Sequence, residues 1–212
     1  MKILLATQNK GKAAEFQELL ADSDIEVCSL LDFPDWEEIE ETGQTFAENA
    51  ALKAREAMKK TGLVTLADDS GLEVEALNGA PGIYSARFAG EQGNATKNID
   101  KLLLLMQDMP EEKRGARFRC SLAIVTPDEE EYLVEGKVEG KILRQRQGES
   151  GFGYDPVFYL PDLGRTMAEL SSAQKNEISH RAQAFRKALP ILQELKIRED
   201  EKKTKGMQKI VW

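Results

Sequence analysis

The feature that most constrains this chain lies at residues 63 to 76. An apolar run, Leu63 to Ala67, ends in two consecutive carboxylates, Asp68 and Asp69. Ser70 and Gly71 follow, then a second strand-like run from Leu72 to Ala76 and a Gly- and Pro-rich loop, Asn78 to Gly82. The pattern predicts two strands joined by an Asp-Asp turn. Carboxylates at the mouth of a buried strand suit a hard cation such as Mg²⁺, which takes oxygen ligands and keeps several waters. Such sites often handle phosphates. Successive strand residues point to opposite faces, so only one of the two carboxylates aims straight into a given cleft. Asp69, nearer the predicted turn, is the better candidate, with Asp68 in support.

The remaining segments read as an α/β protein with a mixed sheet. Residues 2 to 6 form a short apolar run, and residues 11 to 21 carry Ala13, Phe16, Leu19 and Leu20 at helical spacing. Residues 25 to 30 look like another strand, and residues 32 to 44 form an acidic loop containing Glu40 and Glu41. Thr45 followed by Glu48 has the capping-box form, which predicts a helix start. That helix has an alanine-rich apolar face on or beside which Asn49 and Lys53 sit, an odd place for polar groups. Asn94 to Met106 reads as a helix. Ala116 to Thr126 and Glu130 to Val138 read as antiparallel strands, followed by a Gly-rich loop at 147 to 156 and a short strand from Val157 to Leu160. Ser179 is an expected N-cap, and Pro190 is expected to kink or split the helix it starts. A single domain over residues 1–197 is expected, with a charged tail over 198–212. Ile210-Val211-Trp212 could dock somewhere.

Composition removes several classes. The net charge of −8 disfavours nucleic-acid and membrane-surface binding, which need a basic face. No apolar run is long enough to span a bilayer. The N-terminus reads as a strand rather than a signal peptide, so cytoplasmic residence is expected. Cys28 and Cys120 have no CxxC spacing and read as reduced thiols. An acidic chain still accepts a small polyanion if lysines, arginines or a metal gather locally.

Candidates for such a cluster are present. Thr7-Gln8-Asn9-Lys10-Gly11-Lys12 joins the first strand to a helix start, where free N–H groups attract an anion; a solvated turn is the plainer alternative. It is not a Walker A loop, whose spacing occurs nowhere here. Lys53 either snorkels to water or contacts a phosphate. Phe152, between Gly151 and Gly153, either stacks on a base or tucks into the core. His180, the only histidine, reads as structural by itself.

Taken together, six ordered blocks carry a resemblance. They are Leu5 to Lys12, Thr45 to Ala50, Ala67 to Leu72, Gly79 to Arg87, Gly151 to Pro156, and Leu170-Ser171 with Lys175 and Ser179-His180-Arg181. This pattern resembles the inosine triphosphate pyrophosphatase family, which hydrolyses ITP, dITP and XTP. The resemblance spans nearly the whole chain; only the tail beyond about residue 197 is longer than the family needs. It implies two lobes around a long bent mixed sheet, a nucleotide cleft between them, a homodimer, a Mg²⁺ requirement, and release of a nucleoside monophosphate and pyrophosphate. Residue by residue, it implies that Thr7, Gln8, Asn9, Lys10, Gly11, Lys12 and Lys53 hold the triphosphate. Asp69 would be general base and metal ligand, completed by Glu40 or Glu41. Ser70 would contact substrate, and Phe152, Gly153, Tyr154, Asp155, Lys175, His180 and Arg181 would form the base and sugar pocket. A nucleotide-binding module without turnover and a pyrophosphatase for modified pyrimidine nucleotides are the competing readings.

Overall fold

The computed structural model describes residues 1–208, and the expected docking of Ile210-Val211-Trp212 lies outside them. The chain opens with strand β1 (Lys2–Leu5). Helix α1 (Lys10–Leu20) follows, capped by the Asn9 side chain, which accepts from the Lys12 N–H. Strand β2 (Glu26–Ser29) leads to the acidic loop. Helix α2 (Phe46–Thr61) starts where the capping pattern predicts, with Thr45 accepting from the Glu48 N–H, and stops at Gly62 in the left-handed region (φ 67°).

Strand β3 (Val64–Val74) corrects the expectation of two strands and a turn: one strand runs straight through Asp68, Asp69, Ser70 and Gly71. The physical reason is its partner. After α3 (Ala95–Leu105), strand β4 (Gly115–Val125) pairs with β3 continuously from Thr65↔Val125 to Val74↔Ala116. Strand β5 (Glu131–Ile142) extends the antiparallel meander, and the short β6 (Phe158–Leu160) and β7 (Arg165–Thr166) finish it. The sheet order is β2-β1-β3-β4-β5-β6-β7, with β1 parallel to both neighbours and the rest antiparallel.

The chain closes with α4 (Ser172–Ile178) and α5 (His180–Gln208). Pro190 does not split α5. The turn around it buries Phe185, Ala188 and Leu192 against the sheet, which offsets the missing hydrogen bond. The charged segment from Lys196 to Gln208 continues this helix, and Arg198 and Lys202 pair with Glu130 and Asp128 at the β4–β5 turn.

Two features of the sheet position the site. The long strands β3, β4 and β5 span two packed regions. At one end α1 and α5 cover one face of β1 and β3, and α2 covers the other. At the other end α3 and the Gly-rich loop pack on Leu72, Phe118 and Phe158. The parallel pairing of β1 with β3 stops at Leu5↔Leu66. From Asp68 onward that edge of β3 has no partner strand until the isolated bridge Glu73↔Pro81, and a cavity opens there.

Arg114 locks the far region. It is 1% exposed, and its guanidinium donates to the carbonyls of Ile142 (2.7 Å), Met106 (2.6 Å), Leu143 (2.9 Å) and Met109 (3.3 Å). Arg114→Met removes charged donors from four carbonyls, which we expect to cost about 3 kcal/mol. At this chain length that lowers Tm by roughly 6–12 °C. Thermal melting by circular dichroism checks it, and a Tm unchanged from wild type contradicts the role.

Candidate active site

A cavity of about 520 Å³ occupies the open edge of β3. Both consecutive aspartates line it although they point to opposite faces of the sheet, because the missing neighbour strand exposes the edge between the faces. Asp68 follows Leu66 toward α1 and α5, and Asp69 follows Ala67 toward α2.

The two carboxylates are treated very differently. Asp68 is saturated. Its Oδ1 accepts from the Lys12 ammonium and from the Ser70 hydroxyl (2.9 Å), and its Oδ2 accepts from Arg181 Nε (3.0 Å) and the Cys120 thiol (3.1 Å). Burial opposes its charge, but Arg181 and Lys12 outweigh that and hold its carboxyl well below the usual range. Asp69 has one partner, Lys53 Nζ at 3.2 Å on Oδ1, and its Oδ2 is buried with none. Burial raises its pKa, Lys53 and Lys12 only partly reverse this, and Glu41 and Asp68 add to the rise. The structure therefore presents one ion-paired carboxylate and, next to it, one more basic carboxylate with an oxygen to spare.

Lys53 ties the acidic side together. It projects from the third turn of α2, donates to Glu41 Oε1 (2.6 Å) as well as to Asp69, and stays protonated because those two carboxylates outweigh the effect of burial. Glu41 Oε2 also accepts from Arg87 Nη1 at 3.4 Å. Glu41 lines the cavity; Glu40 is exposed and stands outside its wall.

The opposite wall is a buried network of alternating charge. Arg181, at the start of α5, donates to Asp68, to Ser70 Oγ (2.9 Å) and to Glu15 Oε2. Lys175 on α4 bridges Glu15 Oε1 (2.7 Å) and Asp155 Oδ2 (2.6 Å). Asp155 Oδ2 in turn accepts from the Phe152 N–H (3.0 Å), which fixes the Gly-rich loop. That loop reaches its shape through positive φ at Gly151 (76°) and Gly153 (61°).

The Phe152 ring lies 4.6 Å from Lys175 Nζ and 5.6 Å from the Arg181 guanidinium, and Gly11 packs so closely on it that a Cβ there would meet Phe152 Cδ1 at 2.6 Å. His180 stacks on Phe118 (centroids 4.9 Å apart, 17°). Burial and the neighbouring Arg181 push its pKa well down, and its Nδ1 has no partner. Tyr154 donates to the Ser85 carbonyl (2.8 Å), joining the loop to the segment after β3.

Of the residues singled out in the sequence, Thr7, Gln8, Asn9, Lys12, Glu41, Lys53, Asp69, Ser70, Phe152, Gly153, Tyr154, Asp155, Lys175, His180 and Arg181 line this one cavity. Lys10, Gly11 and Glu40 do not. Lys10 is exposed at the first residue of α1, and Gly11 serves as the close floor under Phe152. Sequence reasoning missed Glu15, which shares one carboxylate between two buried cations, as well as Arg87 and the cavity-lining Trp36.

Among the described residues no group of three or more His, Cys, Asp or Glu side chains is arranged to hold a metal by itself. Glu41 and Asp69 do fit a hard divalent ion as a partial set. They are carboxylates that already share one cationic group, Lys53, and Asp69 Oδ2 is unpartnered. Such an ion would complete its shell with water and ligand oxygens.

This geometry defines a class: an α/β protein with a mixed sheet and a polar cavity where cations and carboxylates from both packed regions converge. The chain belongs to the Ham1 family, whose model matches residues 3–191. A dITP/XTP pyrophosphatase of Desulforamulus reducens is 52% identical over 200 residues, covering 94% of this chain and 100% of its own. A dITP/XTP pyrophosphatase of Listeria monocytogenes is 54% identical over 185 residues, 87% of this chain and 91% of its own. Among solved structures, a HAM1 protein from Coxiella burnetii superposes with a TM-score of 0.82 at 45% identity, covering 92% of this chain and 99% of that one. The resemblance read from the six sequence blocks is borne out.

Glu15 gives the charge network a pH signature. Burial pushes its pKa up, but Arg181 and Lys175 outweigh this and leave it below its ordinary value. A lowered folded pKa contributes stability that is complete above the unfolded value, about 4.3, and is lost as pH falls through the folded value. We expect Glu15→Gln to cost about 3 kcal/mol at pH 7, the low end for breaking a buried pair, since each cation keeps a second carboxylate. Urea unfolding across pH should show the gap to wild type full at neutrality and shrinking below about pH 4. A gap that widens in acid contradicts the account.

Proposed function

We propose that this chain hydrolyses non-standard purine nucleoside triphosphates, ITP, dITP and XTP, to the monophosphate and pyrophosphate, with Mg²⁺ as cofactor. The observation that carries the reading is the contrast at β3: Asp68 is consumed by Lys12 and Arg181, while Asp69 keeps a buried, unpartnered oxygen and a raised pKa. Perturbed carboxylates in a cavity are the usual sign of an acid–base group. The names of the relatives support the substrate class.

Each wall then has a task. Lys53 and Lys12, beside the Thr7 to Asn9 turn and the N-terminus of α1, attract the triphosphate. Asp69, with an oxygen that no protein group occupies, orients the attacking water or accepts its proton. Mg²⁺ held by Asp69 and Glu41 would supply charge stabilisation at the phosphoryl and leaving-group oxygens. Phe152 offers its ring to the base, and Arg181 and His180 form the wall facing the base edge.

Discrimination against adenine follows from hydrogen-bond polarity; guanine shares the 6-carbonyl and must be excluded at its 2-amino group. Inosine and xanthosine carry a carbonyl at the 6-position, and adenosine an amino group. An N–H donor facing the 6-position pairs with the carbonyl and is left unpaired against the amine, a large penalty in a buried pocket.

Asp69→Asn keeps the shape and removes the base. We expect kcat for ITP to fall by about 10²-fold or more. Stability should hold, because the substitution removes a buried carboxylate whose charged form the fold disfavours. Steady-state kinetics together with a melting curve check this. Near-normal turnover refutes the assignment, and a collapsed Tm shows that Asp69 is structural.

A further inference from the structure

We infer that Asn49 is a positioning residue that fixes where Glu41 stands, and thereby sets the affinity of the cavity for a divalent cation. The inference rests on the reading of Glu41 and Asp69 as metal ligands.

Asn49 is fully buried (0% exposed) on the face of α2 where Ala50, Ala54 and Ala57 meet the sheet. An alanine would match its neighbours on this face, but it would leave the Gly43 N–H without its acceptor. The amide is half satisfied: Oδ1 accepts from the Gly43 N–H at 2.8 Å, and Nδ2 is buried with no partner. A polar group kept under those conditions points to what its one bond does.

That bond holds the end of a loop with no regular structure of its own. Residues 36 to 43 form neither helix nor strand. Glu41 sits on this loop two residues before Gly43. The loop's last residues are stapled to the first turn of α2: Gly43 to Asn49, and Gln44 N–H to Glu48 Oε2 (2.6 Å). The fit at Gly43 is tight, for a Cβ there would meet Asn49 Oδ1 at 2.6 Å and Glu48 Cβ at 2.8 Å. One turn further along the same helix, Lys53 grips Glu41 and Asp69. Asn49 and Lys53, four residues apart, thus register the loop against the helix, one through backbone and one through side chain. Removing a partner that orients a metal ligand typically weakens metal affinity by about 10- to 100-fold.

The test compares wild type, Asn49→Leu, Gly43→Ala, Glu41→Gln and the Asn49→Leu/Glu41→Gln double variant. Mn²⁺ affinity is measured on the metal-free protein by electron paramagnetic resonance, and amide exchange is followed at Gly43. Asn49→Leu should weaken Mn²⁺ binding about 10-fold or more and raise the Mg²⁺ concentration for half-maximal ITP hydrolysis by a similar factor. Its kcat at saturating Mg²⁺ should stay within about threefold of wild type, because the reacting groups are unchanged. Gly43 should lose amide protection, and Gly43→Ala should behave alike, so it carries the comparison if Asn49→Leu is too unstable to assay. In the Glu41→Gln background Asn49→Leu should add less than about twofold, since both act through one carboxylate. The inference is overturned if Glu41→Gln weakens Mn²⁺ while Asn49→Leu does not, or if the two effects multiply. If Glu41→Gln leaves Mn²⁺ binding unchanged, the assignment of Glu41 to the metal site fails, and the inference falls with it.

Discussion

Two adjacent carboxylates on one strand edge organise this protein. β3 runs on beyond the end of β1, so Asp68 and Asp69 reach a common cavity from opposite faces of the sheet. Everything around them is arranged to keep them different. One face supplies Lys12, Arg181, Ser70 and Cys120 and saturates Asp68. The other supplies Lys53 alone and leaves Asp69 with an open oxygen. Arg181 can be buried only because Asp68 and Glu15 neutralise it, and Lys175 only because Glu15 and Asp155 do. The charge network that builds the wall and the carboxylate with the open oxygen are therefore consequences of one strand register.

The same network bears on how an acidic chain binds a polyanion. The cations that line the cavity are not free; Lys12, Lys53, Lys175 and Arg181 each already hold a carboxylate. They are preorganised, so a ligand does not bear the cost of ordering long side chains. Binding becomes an exchange or sharing of partners rather than the capture of an anion by free cations.

Much of this was legible in the sequence because local signals and global fold agree. The Thr45 cap, the alanine face of α2, the antiparallel β4–β5 pair and the loop glycines each have a short-range physical cause. Asp69, Lys53, Phe152 and Arg181 stood out as charged or aromatic side chains beside such signals, and they line one cavity. The errors arise where long-range contact decides. No local pattern says that β3 continues through two aspartates, since its continuity depends on β4 and on Arg181, more than a hundred residues away. Pro190 lies within α5 without splitting it because Ala188 and Leu192 on either side hold the inner face of the helix on the sheet. Glu15 carries no local mark of its role, which depends on two cations from α4 and α5. The Ser171-x-x-Gln174 capping box that starts α4 was a readable signal that went unused.

The most direct test follows the phosphorus of the substrate. With ITP, Mg²⁺ and protein, ³¹P NMR should show the triphosphate signals replaced by those of inosine monophosphate and pyrophosphate in equal amounts, with ATP nearly untouched under the same conditions. Appearance of inosine diphosphate with orthophosphate, equal consumption of ATP, or binding without product would contradict the account.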